Sequence, residues 1–219
     1  MYRYQSIAVA LCAALSAAPA AASQLSFWDV DTNGANGIPS ATVQSSGNPG
    51  NNEVDNLADA LAIIGDRPAD ATFTVGTIDF PQGGGADSGR TADTVETFLG
   101  PTVWSTLNDD PSSLRTIDGD TEMLGSVLEF TGKVQTVSGT NSGVISSDDG
   151  FLLEVDGTEV ARFDGTRAID GTAYSFFGDG GLSDYRLVFF EDQRVRVGVH
   201  ATLNDEVVEL HPAPIPVPA

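Results

Sequence analysis

The pattern of apolar and polar residues predicts a chain of short strands with one or two short helices. Leu57, Leu61 and Ile64 stand at positions i, i+4 and i+7, the spacing of one helix face, and Gly65 ends the pattern. A short helix is therefore predicted here. Residues 91–100 could form a second one.

From residue 71 onwards, the pattern is mostly typical of β structure. Runs rich in Val, Ile, Thr, Phe and Tyr are mostly separated by residues that favour turns, mainly Gly, Asp, Asn and Ser. The predicted strands or strand pairs are 71–80, 125–137, 151–155, 158–163, 168–177, 184–191, 194–203 and 206–210. The chain shows no internal repeat. Many short strands with regular turns favour an all-β fold, an antiparallel β-sandwich or a barrel, and we predict the sandwich.

The first 22 residues have the composition of a secretory signal peptide. They contain one Arg, an apolar run over residues 7–15 and a small-residue ending at 20–22. The apolar run is shorter than the roughly 20 residues that a membrane-spanning helix needs. We therefore predict export of the mature chain and no membrane span. The chain's only cysteine, Cys12, would be removed with the signal peptide.

The remaining chain divides into three predicted segments. Residues 23–53 are a lead-in whose part from 31 onwards is rich in Gly, Asn and Ser, residues 54–210 form the sandwich, and residues 211–219 are a Pro-rich tail. Without cysteine, the mature domain must be stabilised by its apolar core, with or without a bound metal.

The charge of the chain is strongly acidic. It has 31 acidic and 10 basic residues and a formal net charge of −21, so nucleic acid and anionic membranes are poor partners. Two explanations remain open, solvation in a saline environment and cation binding at chosen sites. Since carboxylates are so common here, one carboxylate is informative only through its position.

One hairpin separates the carboxylates of residues 145–164 into two groups. Asp156-Gly157 lies between two β-type runs and predicts a two-residue type I′ turn. A regular ladder from this turn would pair Leu153 with Val160 and bring Asp149 opposite Asp164. Asp156 would then lie about 23 Å from Asp149, too far to share an ion.

The open end of this hairpin is a candidate metal site. Asp148, Asp149 and Asp164 would gather there, and three like charges repel unless they are solvated, protonated or neutralised by a cation. Calcium fits this donor set best, because it prefers several carboxylate and carbonyl oxygens. The alternative is a solvated turn in which the Ser and Asp side chains bond nearby backbone groups.

Residues 143–165, GVISSDDGFLLEVDGTEVARFDG, resemble the signature hairpin of the protective-antigen-type domain, also called the PA-fourteen domain. This β-sandwich occurs in toxins, glycosidases and fungal adhesins. Residues 128–134 and 184–191 are similar to two further strands of that domain, and the likeness extends over roughly 69–210.

The resemblance implies a site. In sugar-binding members of the family, paired aspartates hold a calcium ion that coordinates sugar hydroxyls, and Asp148 and Asp149 match this pair. Glu191 stands where the adhesins carry a ligating Asn. The adhesins' nearby Trp has no counterpart in residues 193–196. The implied metal ligands are thus Asp148, Asp149 and Glu191, beside Asp164 from the hairpin register.

Three classes of function follow from these observations. The first is a calcium-dependent binding module for an extracellular glycan or exopolysaccharide, in which Asp148 and Asp149 with an aromatic such as Tyr185 contact the sugar. The second is a structural surface or matrix protein without a glycan ligand. The third is a glycoside-processing enzyme, for which the sequence offers no nucleophile motif, His200 being a strand residue and His211 an exposed tail residue.

The end of the chain bears on location. Residues 215–219, IPVPA, resemble the opening of a C-terminal protein-sorting signal of Gram-negative bacteria. Together with the predicted signal peptide, this resemblance implies an exported protein at the bacterial surface or in the extracellular matrix.

Overall fold

A computed structural model describes residues 23–30, 54–83, 94–107, 123, 125–192 and 196–212. The predicted signal peptide, most of the lead-in and residues 213–219 lie outside the described residues. No helix in the described part of the chain is long and apolar enough to cross a membrane.

The described residues form nine strands and two helices, which confirms the prediction of an antiparallel all-β fold with short helices. The strands are β1 Gln24–Asp29, β2 Ala71–Thr74, β3 Asp79–Phe80, β4 Ser126–Asp148, β5 Phe151–Val155, β6 Thr158–Phe163, β7 Asp170–Glu191, β8 Gly198–Leu203 and β9 Glu206–Val207. The helices are α1 Leu57–Asp66 and α2 Val95–Trp104. The strand order is β2-β1-β4-β7-β5-β6, and β8 joins β4 to β3 and β9.

Two long strands, β4 and β7, form a ribbon that belongs to both layers of the sandwich. Ser126 pairs with Glu191 at one end of the ribbon, whereas Asp148 closes β4 at the other end. A straight ribbon would hold Asp148 and Glu191 about 70 Å apart. Their carboxylate oxygens instead lie within 4.8 Å, so the ribbon folds back on itself. Gly139 and Gly180, with φ of 108° and 87°, lie in the middle of the ribbon.

The folded ribbon encloses the main core. One layer contains β2, β1, the first half of β4, the second half of β7, β5 and β6, and the other contains the remaining halves of β4 and β7 with β8 and β3. Buried side chains that fill the space between them include Leu25, Phe73, Phe130, Ile145, Phe189 and Val199. Burial of this apolar surface is the main stabilising term of such a domain.

Helix α1 covers the outer face of the first layer. Its residues Leu57, Ala60 and Ile63 pack with Val188 and Phe190 in a second, smaller core. The helix begins where the Asn56 side chain accepts a hydrogen bond from the backbone N–H of Asp59, as its capping role requires. The predicted helix is therefore confirmed.

Strand β1 lies in the predicted lead-in, so the predicted start of the sandwich at residue 54 is too late. Leu25 to Asp29 are all buried, and the strand pairs with both β2 and β4. The partners of β1 are residues 71–74 and 126–131, far away in the sequence. A six-residue strand followed by a Gly- and Asn-rich stretch gave no local signal of this pairing.

The β5–β6 hairpin has the predicted turn, but the predicted register holds only for the two pairs beside it. Asp156 and Gly157 have φ of 49° and 71°, as a type I′ turn requires. Leu153 pairs with Ala161 rather than with Val160, because a β-bulge at Val160 adds one residue to β6. A one-residue shift turns the following side chains to the opposite face, which removes the predicted Asp149–Asp164 pairing.

The segment 206–211 closes one end of the sandwich. The backbones of His211 and Lys133 exchange two hydrogen bonds of 2.7 and 3.0 Å, and the N–H of Leu210 bonds the carbonyl of Gly76 at 2.8 Å. The interpretation of His211 as an exposed tail residue was wrong, because its backbone pairs with β4 and its exposure is only intermediate.

Candidate metal centre

Three carboxylates meet where the chain crosses between the two layers. β4 ends at Asp148, and β5 begins after Asp149-Gly150 in the other layer, beside the end of β7 at Glu191. The side chains of Asp148, Asp149 and Glu191 each place one oxygen within 4.8 Å of the others. The three residues are only 8%, 2% and 1% exposed. The peptide bond between the two aspartates is cis.

The Asp149 carboxylate is held by backbone donors. Its Oδ1 accepts the N–H of Arg167 and its Oδ2 accepts the N–H of Asp192, both at 2.9 Å. Ser147 Oγ donates to the carbonyl of Asp149 at 2.6 Å. Each carboxylate oxygen can accept more than one bond, so Asp149 is oriented and still able to bind a cation.

The cluster disfavours the ionised form of Asp148. Burial, and after it the neighbouring Asp149 charge, raise the pKa of its carboxyl from 3.8 to about 6. The backbone N–H of Ile169 and the positive charges of Arg196 and Arg167 act in the opposite direction on this pKa. A bound cation would relieve the repulsion and favour the ionised carboxylate.

Arg167 fixes the loop that carries the aspartates. Its guanidinium donates to Ser147 Oγ at 2.7 Å, to the Ser147 carbonyl at 3.1 Å and to Thr172 Oγ1 at 2.9 Å. The same group lies 4.3 Å from the ring centre of Phe163 and 5.6 Å from that of Phe151. Sequence reasoning missed Arg167, although the scarcity of basic residues was a usable signal.

The donor set suits calcium. The three carboxylates bring one hard oxygen atom each to a common position, and calcium takes six to eight oxygen ligands with flexible geometry. The cluster lacks the imidazole and thiolate groups that zinc or copper would favour. Asp148, Asp149 and Glu191 are thus the residues that could hold the ion, and calcium's coordination demand leaves room for further oxygen ligands from outside the protein.

Two predicted site residues lie outside this cluster. The Asp164 side chain is 60% exposed and pairs with Arg162 at 3.1 Å, because the bulge at Val160 shifts β6. Tyr185 is 2% exposed and belongs to the core, so its ring cannot stack on a sugar at the surface. The prediction of Tyr185 as a ligand-contacting residue was therefore wrong.

The histidine on the late strand has a partner. His200 lies in β8, is 8% exposed and places Nδ1 2.9 Å from Asp79 Oδ1 on β3. Since the two strands are paired at this position, the contact links neighbouring strands. The prediction of a strand residue is confirmed.

The fold is shared with two solved domains. The chain superimposes on the PA14 domain of the antifreeze protein MpAFP with a TM-score of 0.62 and 19% identity, covering 99% of both chains. It is also similar to a PA14 sugar-binding domain from an RTX adhesin, with a TM-score of 0.59 and 20% identity over 88% of this chain and 99% of that one. No protein-family model and no curated protein matches the chain. The protein has the β-sandwich fold of the PA14 domain, as the resemblance of residues 143–165 predicted.

Proposed function

We propose that this protein is a calcium-dependent carbohydrate-binding module that acts outside the cell, in adhesion or in a polysaccharide matrix. The observation that carries this proposal is the cluster of Asp148, Asp149 and Glu191, whose oxygens lie within 4.8 Å at the end of the sandwich. Such a cluster is unfavourable without a cation, because burial opposes ionisation and the charges repel one another.

The carbohydrate part of the proposal follows from coordination chemistry and from the shared fold. Sugar hydroxyls are neutral oxygen ligands, which calcium accepts readily beside carboxylates. One domain with the same fold is described as sugar-binding and comes from an adhesin. Binding is a better interpretation than catalysis, since the three carboxylates converge on one position that an ion could occupy.

The extracellular location is the sequence-based part of the proposal. It is supported by the signal-like composition of residues 1–22 and by the sorting-signal resemblance of residues 215–219. An extracellular setting also supplies calcium at the millimolar concentrations at which extracellular modules commonly bind it.

A calcium titration tests the metal site. The melting temperature of the full chain should rise with calcium and fall again with a chelator, because a ligand of the native state stabilises it by mass action, by about 2.7 kcal/mol at a hundredfold excess over Kd. Asp148→Asn should abolish this rise. Asp156→Asn is the matched control, because it changes an exposed aspartate at the other end of β5, and it should keep the rise. A melting temperature that calcium leaves unchanged in the wild type would reject the site.

A glycan array with and without calcium tests the ligand. Binding that appears only with calcium and is lost in Asp148→Asn would support the proposal. Calcium binding without any glycan signal would instead favour the second candidate, a structural surface protein stabilised by calcium.

A further inference from the structure

Positive charges are informative in this chain because they are scarce. Only 10 basic residues stand against 31 acidic ones, yet two arginines, Arg167 and Arg196, lie close enough to Asp148 to act on its charge. Arg167 is occupied by its bonds to Ser147 and Thr172. We therefore ask what the charge of Arg196 does.

The geometry of β4 and β8 places Arg196 beside the metal centre. Asp148 pairs with Gly198, and Arg196 precedes Gly198 by two residues. Val197 is buried in the core, so an extended chain directs Arg196 away from the core. Arg196 is exposed and forms no ion pair with any other residue that the structure describes.

The local charge becomes less negative when calcium binds. Three carboxylates then face one divalent ion and two guanidinium groups, while Asp170 acts on the charge of Arg167 and Asp192 lies against Asp149. Because Arg167 is held by its own neighbours, the ion and the exposed Arg196 guanidinium are the positive charges that a ligand can reach among the described residues. A carboxylate on the ligand would be attracted by both.

We propose that Arg196 selects sugars that carry a carboxylate, so that the preferred ligand is a uronic acid unit of an acidic polysaccharide. The proposal rests on the calcium site proposed above. The sugar would coordinate calcium through oxygen atoms while its carboxylate pairs with the Arg196 guanidinium, a group whose planar geometry suits carboxylates. Arg196 then determines specificity rather than metal binding.

The test compares D-glucuronate with D-glucose by calorimetric titration of the full chain at saturating calcium and 0.15 M salt. We expect glucuronate to bind about tenfold more tightly, the effect of one charge-assisted hydrogen bond. Arg196→Gln should reduce this preference to near unity and leave glucose affinity unchanged. Arg162→Gln is the matched control, because Arg162 is an exposed arginine paired with Asp164, and it should keep the preference.

A calcium titration of the same samples without sugar separates the two proposals. Arg196→Gln should bind calcium a few-fold more tightly, since a nearby positive charge is removed. If the wild type binds calcium but has equal affinities for the two sugars, the role of Arg196 is overturned and the calcium site is not. A preference for glucuronate that survives in Arg196→Gln has the same consequence. An absence of calcium binding in the wild type would overturn the calcium site and with it this role.

Discussion

The two Asp-Gly pairs at the ends of strand β5 have the same sequence and opposite environments. Asp149 is 2% exposed, and backbone N–H groups hold both of its carboxylate oxygens. Asp156 is exposed and lies in the two-residue turn, where its Oδ1 accepts the N–H of Asp184 at 2.8 Å. The dipeptide alone therefore does not distinguish a metal-binding loop from a hairpin turn. Its position in the fold does.

The glycines of the two pairs are needed for different reasons. A Cβ on Gly150 would lie 2.4 Å from a ring carbon of Phe190 and 2.7 Å from the carbonyl oxygen of Phe163. A Cβ on Gly157 would meet no atom within 4 Å, but the residue has φ of +71°. Gly150 thus permits the close approach of the chain to the Phe190 ring and to the end of β6, whereas Gly157 permits a left-handed turn.

The largest expected effect separates these two roles. Gly150→Ala should lower the free energy of unfolding by at least about 3 kcal/mol, because neither the buried ring of Phe190 nor the backbone can move away easily. Gly157→Ala should lower it by about 1 kcal/mol, the cost of a left-handed non-glycine residue. Urea unfolding of both variants measures the difference. Equal losses would contradict the assignment of packing to Gly150 and of backbone conformation to Gly157.

The pH dependence of stability tests the burial of the first pair. The pKa of Asp148 is raised from 3.8 to about 6, so the folded, metal-free protein holds this proton up to a higher pH than the unfolded chain does. The stability that Asp148 contributes is therefore fully present below pH 4 and is lost as the pH rises to about 6, by on the order of 2 to 3 kcal/mol. Calcium requires the ionised carboxylate, so stabilisation by calcium should grow over the same interval.

Unfolding measurements between pH 4 and 7, with chelator and with calcium, test the direction in which stability changes with pH. Asp148→Asn should flatten both dependences, whereas Asp156→Asn should leave both slopes as in the wild type. A metal-free wild type that becomes more stable as the pH rises from 4 to 6 would contradict the burial of Asp148 beside the Asp149 charge.

A third difference concerns the two aspartates that precede the glycines. Asp149→Asn should destabilise the metal-free protein by about 2 kcal/mol, because an amide NH₂ would face one of the backbone N–H groups of Arg167 and Asp192 and leave it unsatisfied. Asp156→Asn should be nearly neutral, since its Asn oxygen can still accept the N–H of Asp184. Thermal unfolding in chelator compares the two, and similar losses would mean that Asp149 is not held as described.

Local features were predictable from the sequence because their causes are local. Helix α1 and the Asp156-Gly157 turn depend on neighbouring residues, and both are present. The family resemblance, carried by residues 143–165 and 184–191, implied the sandwich fold and the three ligands Asp148, Asp149 and Glu191, which the structure brings together. Glu191 follows Asp149 by 42 residues, and no local pattern connects them.

Other features were not predictable because their causes are distant contacts. The bulge at Val160 shifts β6 while the ring of Phe163 packs against Arg167, so Asp164 turns away from the cluster. Tyr185 was predicted to contact a sugar, but it lies in the part of β7 that packs inside the sandwich. The predictions for Asp164 and Tyr185 were wrong because they considered one strand or hairpin without the residues that pack against it in the folded chain.

The smallest expected effect lies in the turn itself. Asp156 has φ of 49°, a conformation that Asp and Asn tolerate better than other residues with a side chain, and its carboxylate bonds the backbone of Asp184. Asp156→Ala should therefore lower the free energy of unfolding by about 1 kcal/mol, and Asp156→Gly should recover part of that loss, because glycine removes the conformational strain but not the missing hydrogen bond. Calorimetric calcium titration of both variants should give the wild-type affinity, since the turn and the metal centre lie at opposite ends of β5. A weakened calcium affinity in either variant would show that the two ends of the strand are coupled and that the separation of their roles is incorrect.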